Sequence, residues 1–199
     1  MKICFCKAFI AIIVLLTVIS GCGEGDEDSS LSPKDTETPS QKTSITNNEV
    51  YEQLASTLIG FYSDIYEKNI TDVDAYTQNI TNTGPMGSGN ITVTGTTIRD
   101  KDYNFTKIDL SLKMNNVGYT YSYDKWTINL TISGITSYKG NIEENGDVYL
   151  TYASDSLQVK GSVSYDTINR SVNESGKVSI TRITGKIVKG DLFGHPIEW

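Results

Sequence analysis

Ile108-Asp109-Leu110-Ser111-Leu112-Lys113-Met114 alternates apolar and polar residues without a break. Side chains of a strand point to opposite faces in turn, so this stretch puts its apolar set on one face and its polar set on the other. The alternation returns in Trp126, Ile128, Leu130 and Ile132 against Thr127, Asn129, Thr131 and Ser133. It returns again in Leu157, Val159, Val163 and Tyr165 against Gln158, Lys160, Ser162 and Ser164. One dry face and one wet face is the pattern of an antiparallel sheet. Turn signals separate the runs at Arg99 to Tyr103, Asn115-Asn116, Asp124-Lys125, Asn145-Gly146 and Asn173 to Gly176. Asn145-Gly146 is the sharpest, because a type I′ hairpin turn needs positive φ at both central residues. From Lys177 to Val188 the apolar phase shifts between Ile180 and Ile183, which predicts a bulge within one last strand. The expectation is a mainly β (α+β) fold with eight or nine strands joined mainly as a meander. It would form a strongly curved sheet or open barrel, with a two-sheet β-sandwich as the alternative.

Upstream the period changes. Val50, Leu54, Leu58, Phe61 and Ile65 recur at three- and four-residue spacing, with Tyr51, Ile59, Tyr62 and Tyr66 widening the stripe. That spacing predicts one helix, ending near Lys68-Asn69 and packed on the apolar face of the sheet. Thr46 and Glu49 stand three apart, as in a capping box. Residues 70–89, with Gly84-Pro85 and Gly87-Ser88-Gly89, read as a long irregular connection. Asp72 and Asp74 lie in it without the spacing of an EF-hand loop. Short similarities, Ile91 to Gly95, Leu130 to Gly134 and Ile180 to Gly185, are the kind any Thr-rich strand sequence shows, and no repeat is read from them.

Before the helix, Gly23 to Thr46 is rich in Gly, Ser, Thr, Pro and acids. Such a stretch buries too little surface to offset its ordering entropy and is expected to be a disordered tether. The acids Glu24, Asp26, Glu27 and Asp28 read as a solvated charge run rather than a calcium site.

The chain starts with Lys2 and Lys7, followed by a run of 12 residues from Ala8 to Ile19 that is apolar but for Thr17. A bilayer-spanning helix needs about 20, whereas the core of a secretory signal needs about 7–15. Next come Ile19-Ser20-Gly21-Cys22. An aliphatic residue, two small residues and a cysteine resemble the lipobox of bacterial lipoproteins, over the first 22 residues only. The resemblance implies cleavage between Gly21 and Cys22, a diacylglyceryl group on the Cys22 thiol and an acylated new N-terminus. It implies residues 1–21 as signal peptide, 22–46 as lipidated cysteine and linker, and 47–199 as one domain. Two or three acyl chains anchor stably where one binds only marginally. Glycine rather than aspartate at position 23 implies the outer rather than the inner membrane in a two-membrane cell.

Removing residues 1–21 takes two lysines and no acid, which leaves 15 basic and 24 acidic side chains and a net charge of −9. A nucleic acid is therefore not an expected partner, since phosphate binding needs clustered Lys and Arg. Cys4 and Cys6 leave with the signal, so no internal disulfide and no catalytic thiol are expected.

The search for chemistry is mostly empty. His195, the one histidine, sits beside Pro196 and is read as a surface residue rather than a catalytic or metal-binding one. Glu143 and Glu144 are adjacent at a strand end and would point to opposite faces, unlike a glycosidase pair. No G-x-S-x-G elbow, Walker loop or dinucleotide fingerprint occurs. No metal or other cofactor is expected. Seven N-x-S/T sequons, from Asn69 to Asn173, reflect an Asn- and Thr-rich composition. Tyr119, Tyr121 and Tyr123 share one strand face and would make an aromatic platform for a sugar or peptide, although a core or cross-strand stack is preferred. The expected function is a non-catalytic envelope lipoprotein that binds or scaffolds an envelope protein, glycan or lipid. The alternatives are a carrier of an apolar ligand between sheet and helix, and a carboxylate-dependent hydrolase.

Overall fold

The computed structural model describes residues 42–69, 77–86, 88–100, 102, 104–184 and 186–199. The signal residues, Gly21, Cys22, the tether up to residue 41, and Asp72 and Asp74 lie outside the described residues. The fold is mainly β, with one helix, α1 (Asn47–Asn69), ahead of an open antiparallel sheet. The strands are β1 (Thr77–Met86), β2 (Gly89–Asp100), β3 (Phe105–Tyr123), β4 (Trp126–Glu143), β5 (Val148–Tyr165), β6 (Ile168–Ile183), β7 (Lys186–Leu192) and β8 (His195–Glu198). They lie side by side in chain order, each antiparallel to the next, and β1 and β8 are not paired with each other. The meander therefore does not close into a barrel, and these strands form one sheet rather than the two of a sandwich.

The capping box forms as its spacing predicts. The Thr46 amide donates to Glu49 Oε2 at 2.8 Å, and the Glu49 amide donates to Thr46 Oγ1 at 3.3 Å. Ile45 and Val50 occupy the two positions of a hydrophobic staple and both are buried. The domain begins earlier than residue 47. Lys42 Nζ lies 4.5 Å from the ring centroids of both Trp126 and Tyr165 and pairs with Glu49, and Arg170 donates to the Ile45 carbonyl at 3.0 Å. Residues 42–46, read as the end of the tether, are docked because an aromatic pair and an arginine hold them.

The helical stripe Val50, Leu54, Leu58, Phe61 and Ile65 is buried, as are the alternating residues of β3 to β5 except the half-buried Tyr119, Tyr121, Tyr123 and Tyr165. Phe61, Tyr62, Tyr138 and Tyr152 fill the space between helix and sheet. Tyr62 stacks on Tyr152 with ring centroids 4.9 Å apart, and its hydroxyl pairs with Thr136 Oγ1 at 3.1 Å. Burial pushes the Tyr62 phenol well above its ordinary range.

Several local expectations are corrected. Thr77–Met86, read as irregular, is a strand paired along its length with β2. It is an outer strand, where the missing amide of Pro85 costs no ladder bond if it faces away from β2. Asn115-Asn116 is not a turn but a bulge in β3: two residues between Met114 and Val117 stand opposite Ser133 alone, and Asn116 has φ 51°. Asn173 to Gly176 lies inside β6. Glu143 and Val148 end the strands around Asn145-Gly146, so the connection is longer than a two-residue turn and only Gly146 has positive φ, while the Asp147 amide donates to Asn145 Oδ1. The phase shift after Ile180 marks the end of β6 and the start of β7, with a register irregularity between Thr181 and Ile183, rather than one bulged strand.

Two glycines let neighbouring long strands approach closely. Gly140 lies between Ile108 and Leu150, and Gly161 between Leu130 and Val172. Their φ values are +139° and +151°, and an added Cβ would stand 2.0 Å from the Tyr149 carbonyl oxygen and 1.9 Å from that of Asn129. Only glycine allows neighbouring backbones to approach this closely at a bend.

Candidate functional site

The sheet is ragged because its strands differ in length. β2 pairs with β3 only as far as Asn115, while β3 continues to Tyr123 along β4. Among the described residues, no strand pairs with Val117–Tyr123 on the side away from β4. The hairpin turn Asp124-Lys125 closes on the pair Tyr123–Trp126. In an antiparallel ladder, alternate residues exchange hydrogen bonds with the partner strand. The backbone groups of Tyr119, Tyr121 and Tyr123 thus aim at β4, and those of Gly118, Thr120 and Ser122 aim at the open side.

The three tyrosines do share one face, because the bulge at Asn115-Asn116 moves the buried positions from even to odd numbers. They are half-buried against α1. The Tyr119 hydroxyl donates to Asp64 Oδ2 at 2.9 Å, and that of Tyr123 donates to Gln53 Oε1 at 2.7 Å. Phe61 meets the Tyr119 ring edge-on at 5.1 Å, and Tyr121 and Tyr123 have ring centroids 5.6 Å apart. Opposite the row the helix carries Gly60, which leaves Tyr119 and Tyr121 close to its backbone. Burial, then the Asp64 carboxylate, pushes the Tyr119 and Tyr121 phenols up. Burial also raises that of Tyr123, to which Asp124 and Glu52 add. The charged groups acting on the row are all acidic. A shallow groove of about 390 Å³ opens on the outer face of the same strands, opposite the row, lined in part by Ser88, Gly118, Thr120, Asn129 and Thr131.

The other edge of the long strands is built differently. Ile168–Gly176 of β6 extends past β7, but Arg170 and Glu174 are tied to the start of the helix. Tyr51 donates to Glu174 there at 3.2 Å, and its ring stacks on His195 with centroids 3.7 Å apart. His195 is exposed and lines an open cleft of about 640 Å³ with Asn48, Glu52, Lys189 and Glu198. Glu144 pairs with Arg99 instead of facing a second acid. Among the described residues, no three His, Cys, Asp or Glu side chains stand close enough to hold a metal ion. No helix among them is long and apolar enough to cross a membrane.

The alternation pointed to the tyrosine row, but nothing in the residue types pointed to the open strand beside it. No family model, curated protein or solved structure matches this chain.

Proposed function

We propose that this chain is the precursor of a bacterial envelope lipoprotein, acylated on Cys22, whose β domain binds or scaffolds a partner without catalysis. The observation that carries the reading is Ile19-Ser20-Gly21-Cys22 directly after an apolar run too short to span a bilayer. The acyl chains hold the domain at the membrane, and the acidic tether sets its reach. The helix packed on the meander is the part that presents a binding surface. Its aromatic filling supports a binding module over a carrier: Phe61, Tyr62, Tyr138 and Tyr152 occupy the space that an apolar cargo would need.

Labelling cells with radioactive palmitate tests the anchor. The parent chain should take up label and Cys22→Ser should not, because serine offers no thiol to the diacylglyceryl transfer; equal label on both would sink the reading. In a two-membrane host, Gly23 after the lipidated cysteine places the chain in the outer membrane. A sucrose gradient that recovers it with the inner membrane would refute that sorting and leave the anchor standing.

A further inference from the structure

Sheet edges are hazards, and proteins blunt them with lysine, proline, inward-pointing charge or a covering element. The edge of β6 has such protection: Arg170 and Glu174 are charged and bonded to residues at the helix start. Among the described residues the edge of β3 has no such charge, proline or paired strand; Ser88, whose hydroxyl stands beside Gly118 and donates to the Asn116 carbonyl, covers only its start. Val117-Gly118-Tyr119-Thr120-Tyr121-Ser122-Tyr123 contains no charged residue and no proline. It presents the backbone groups of Gly118, Thr120 and Ser122 beside a row of aromatic rings. Lys125, in the turn at its end, lies 6.0 Å from the Tyr165 ring on β5 and so leans toward the other side of β4.

We propose that the open β3 edge from Val117 to Tyr123 accepts one further strand, an extended segment of a partner protein with apolar residues facing the tyrosines and basic residues at its ends. Main-chain bonds to Gly118, Thr120 and Ser122 supply pairing, and the tyrosine row supplies side-chain preference. Charge selects the partner. Asp64 sits at the Tyr119 end, and Glu52 and Asp124 act on the Tyr123 end, so each end of the added strand meets an acid. The same acids argue against a second copy of this chain, since antiparallel self-pairing would bring like charges together. The groove beside Gly118 and Thr120 has room for a polar side chain on the outer face. The inference rests on the reading of the domain as a binding module and names the surface it uses.

The test uses the mature chain, residues 22–199, and a synthetic peptide, acetyl-Lys-Thr-Val-Thr-Val-Thr-Lys-amide, followed by amide exchange in NMR. Peptide should slow exchange of the Gly118, Thr120 and Ser122 amides by about tenfold or more, because their donors become bonded. Tyr119, Tyr121 and Tyr123 should change much less, since their amides already face β4. Replacing both lysines by glutamate should weaken binding about tenfold or more, as should raising the salt. Thr120→Pro removes an outward donor without touching the ladder to β4, and it should abolish binding while the melting temperature stays near that of the parent. Should that variant fail to fold, methylating the peptide nitrogens that face β3 tests the same bonds, and this too should abolish binding. Equal affinity for the acidic peptide overturns the inference, as does binding without protection of Gly118, Thr120 and Ser122. Protection of these amides in the free chain would also overturn it, by showing that a second copy or the chain's own N-terminal segment holds the edge. None of these outcomes bears on palmitate uptake, so the anchor and the edge fail separately.

Discussion

Gly161→Ala tests the close backbone approach of β4 and β5. The new Cβ would stand 1.9 Å from the Asn129 carbonyl oxygen, and real Cβ atoms essentially never come within 3.0 Å of another heavy atom, so β4 and β5 must part locally by at least 1.1 Å. Such a shift strips the hydrogen bonds on either side of the pair Leu130–Gly161, at about 0.5–1.5 kcal/mol each. The backbone conformation at φ +151° costs alanine roughly a further 1–3 kcal/mol. Alanine recovers about 0.4–1 kcal/mol by restricting the unfolded chain. The expected loss is about 1–6 kcal/mol, of which the two hydrogen bonds supply about 1–3 kcal/mol. Gly146→Ala is the control: its φ is +91°, but an added Cβ would meet nothing within 4 Å. It should lose only the conformational part, about 1–2 kcal/mol. Urea unfolding of the Cys22→Ser chain, followed by tyrosine and tryptophan fluorescence, measures both. A difference between the two variants below about 1 kcal/mol, the size of one net hydrogen bond, would refute the close-approach account.

Thr46→Ala should cost about 1 kcal/mol in the same urea assay, because it removes the side-chain half of the capping box that joins Thr46 to Glu49; an unchanged midpoint would mean that the docked residues 42–46 hold the helix start unaided. Leu110→Ala should cost about 2–5 kcal/mol and Ser111→Ala under about 0.5, since the first is buried and the second exposed; equal losses would mean both faces of β3 are covered. Burial raises the Tyr62 and Tyr138 phenols above their unfolded value, so the fold holds their neutral forms. That contribution is complete below about pH 10 and is lost progressively above it as pH climbs toward the folded-state values, so the urea midpoint should fall from about pH 10 upward, and a flat profile to about pH 11.5 would show these phenols to be accessible.

Much of the fold was legible because burial imposes a period. The stripe from Val50 to Ile65 and the runs from Ile108, Trp126 and Leu157 are buried as their spacing predicts, save the half-buried Tyr165, and the capping box at Thr46 forms. What failed was the joining of segments. Met114 to Val117 breaks alternation, and two asparagines there look like a turn, yet a bulge breaks alternation in the same way. Asp155 and Ser156 do likewise in β5, opposite the single residue Lys177 of β6. A bulged strand and two strands joined by a turn share one local pattern; only the partner strand, which continues unbroken, tells them apart. The turn at Phe193-Gly194 was missed because phenylalanine rarely takes the positive φ of 57° it has there. β1 was missed because it lies at the sheet edge, where residues such as Gly84 and Pro85 are tolerated that would break a central strand.

The candidate site was half legible for the same reason. Tyr119, Tyr121 and Tyr123 announce a shared face by spacing alone, and the structure places them under α1 with their hydroxyls on Asp64 and Gln53. An open edge is a different kind of feature. It arises from a difference in length between neighbours: β3 runs through its bulge to Tyr123, whereas β2 begins at Gly89, opposite the bulge. Reading Asn115-Asn116 as a turn cuts β3 in two and removes the overhang. Reading it as a bulge keeps the strand whole, flips its phase so that tyrosines rather than threonines face the helix, and leaves seven residues with no strand paired on one side among the described residues. The same two asparagines therefore set the aromatic row and the unpaired backbone together. Without the bulge the same residues would keep even-numbered alternation and turn Thr120 and Ser122 inward, trading three aromatic rings for two hydroxyl side chains under α1, whereas deleting Asn116 should remove the bulge and keep Val117 and the tyrosines facing inward. The row and the edge are one consequence of one irregularity, which is why a surface that binds through both is coherent with how this sheet is built.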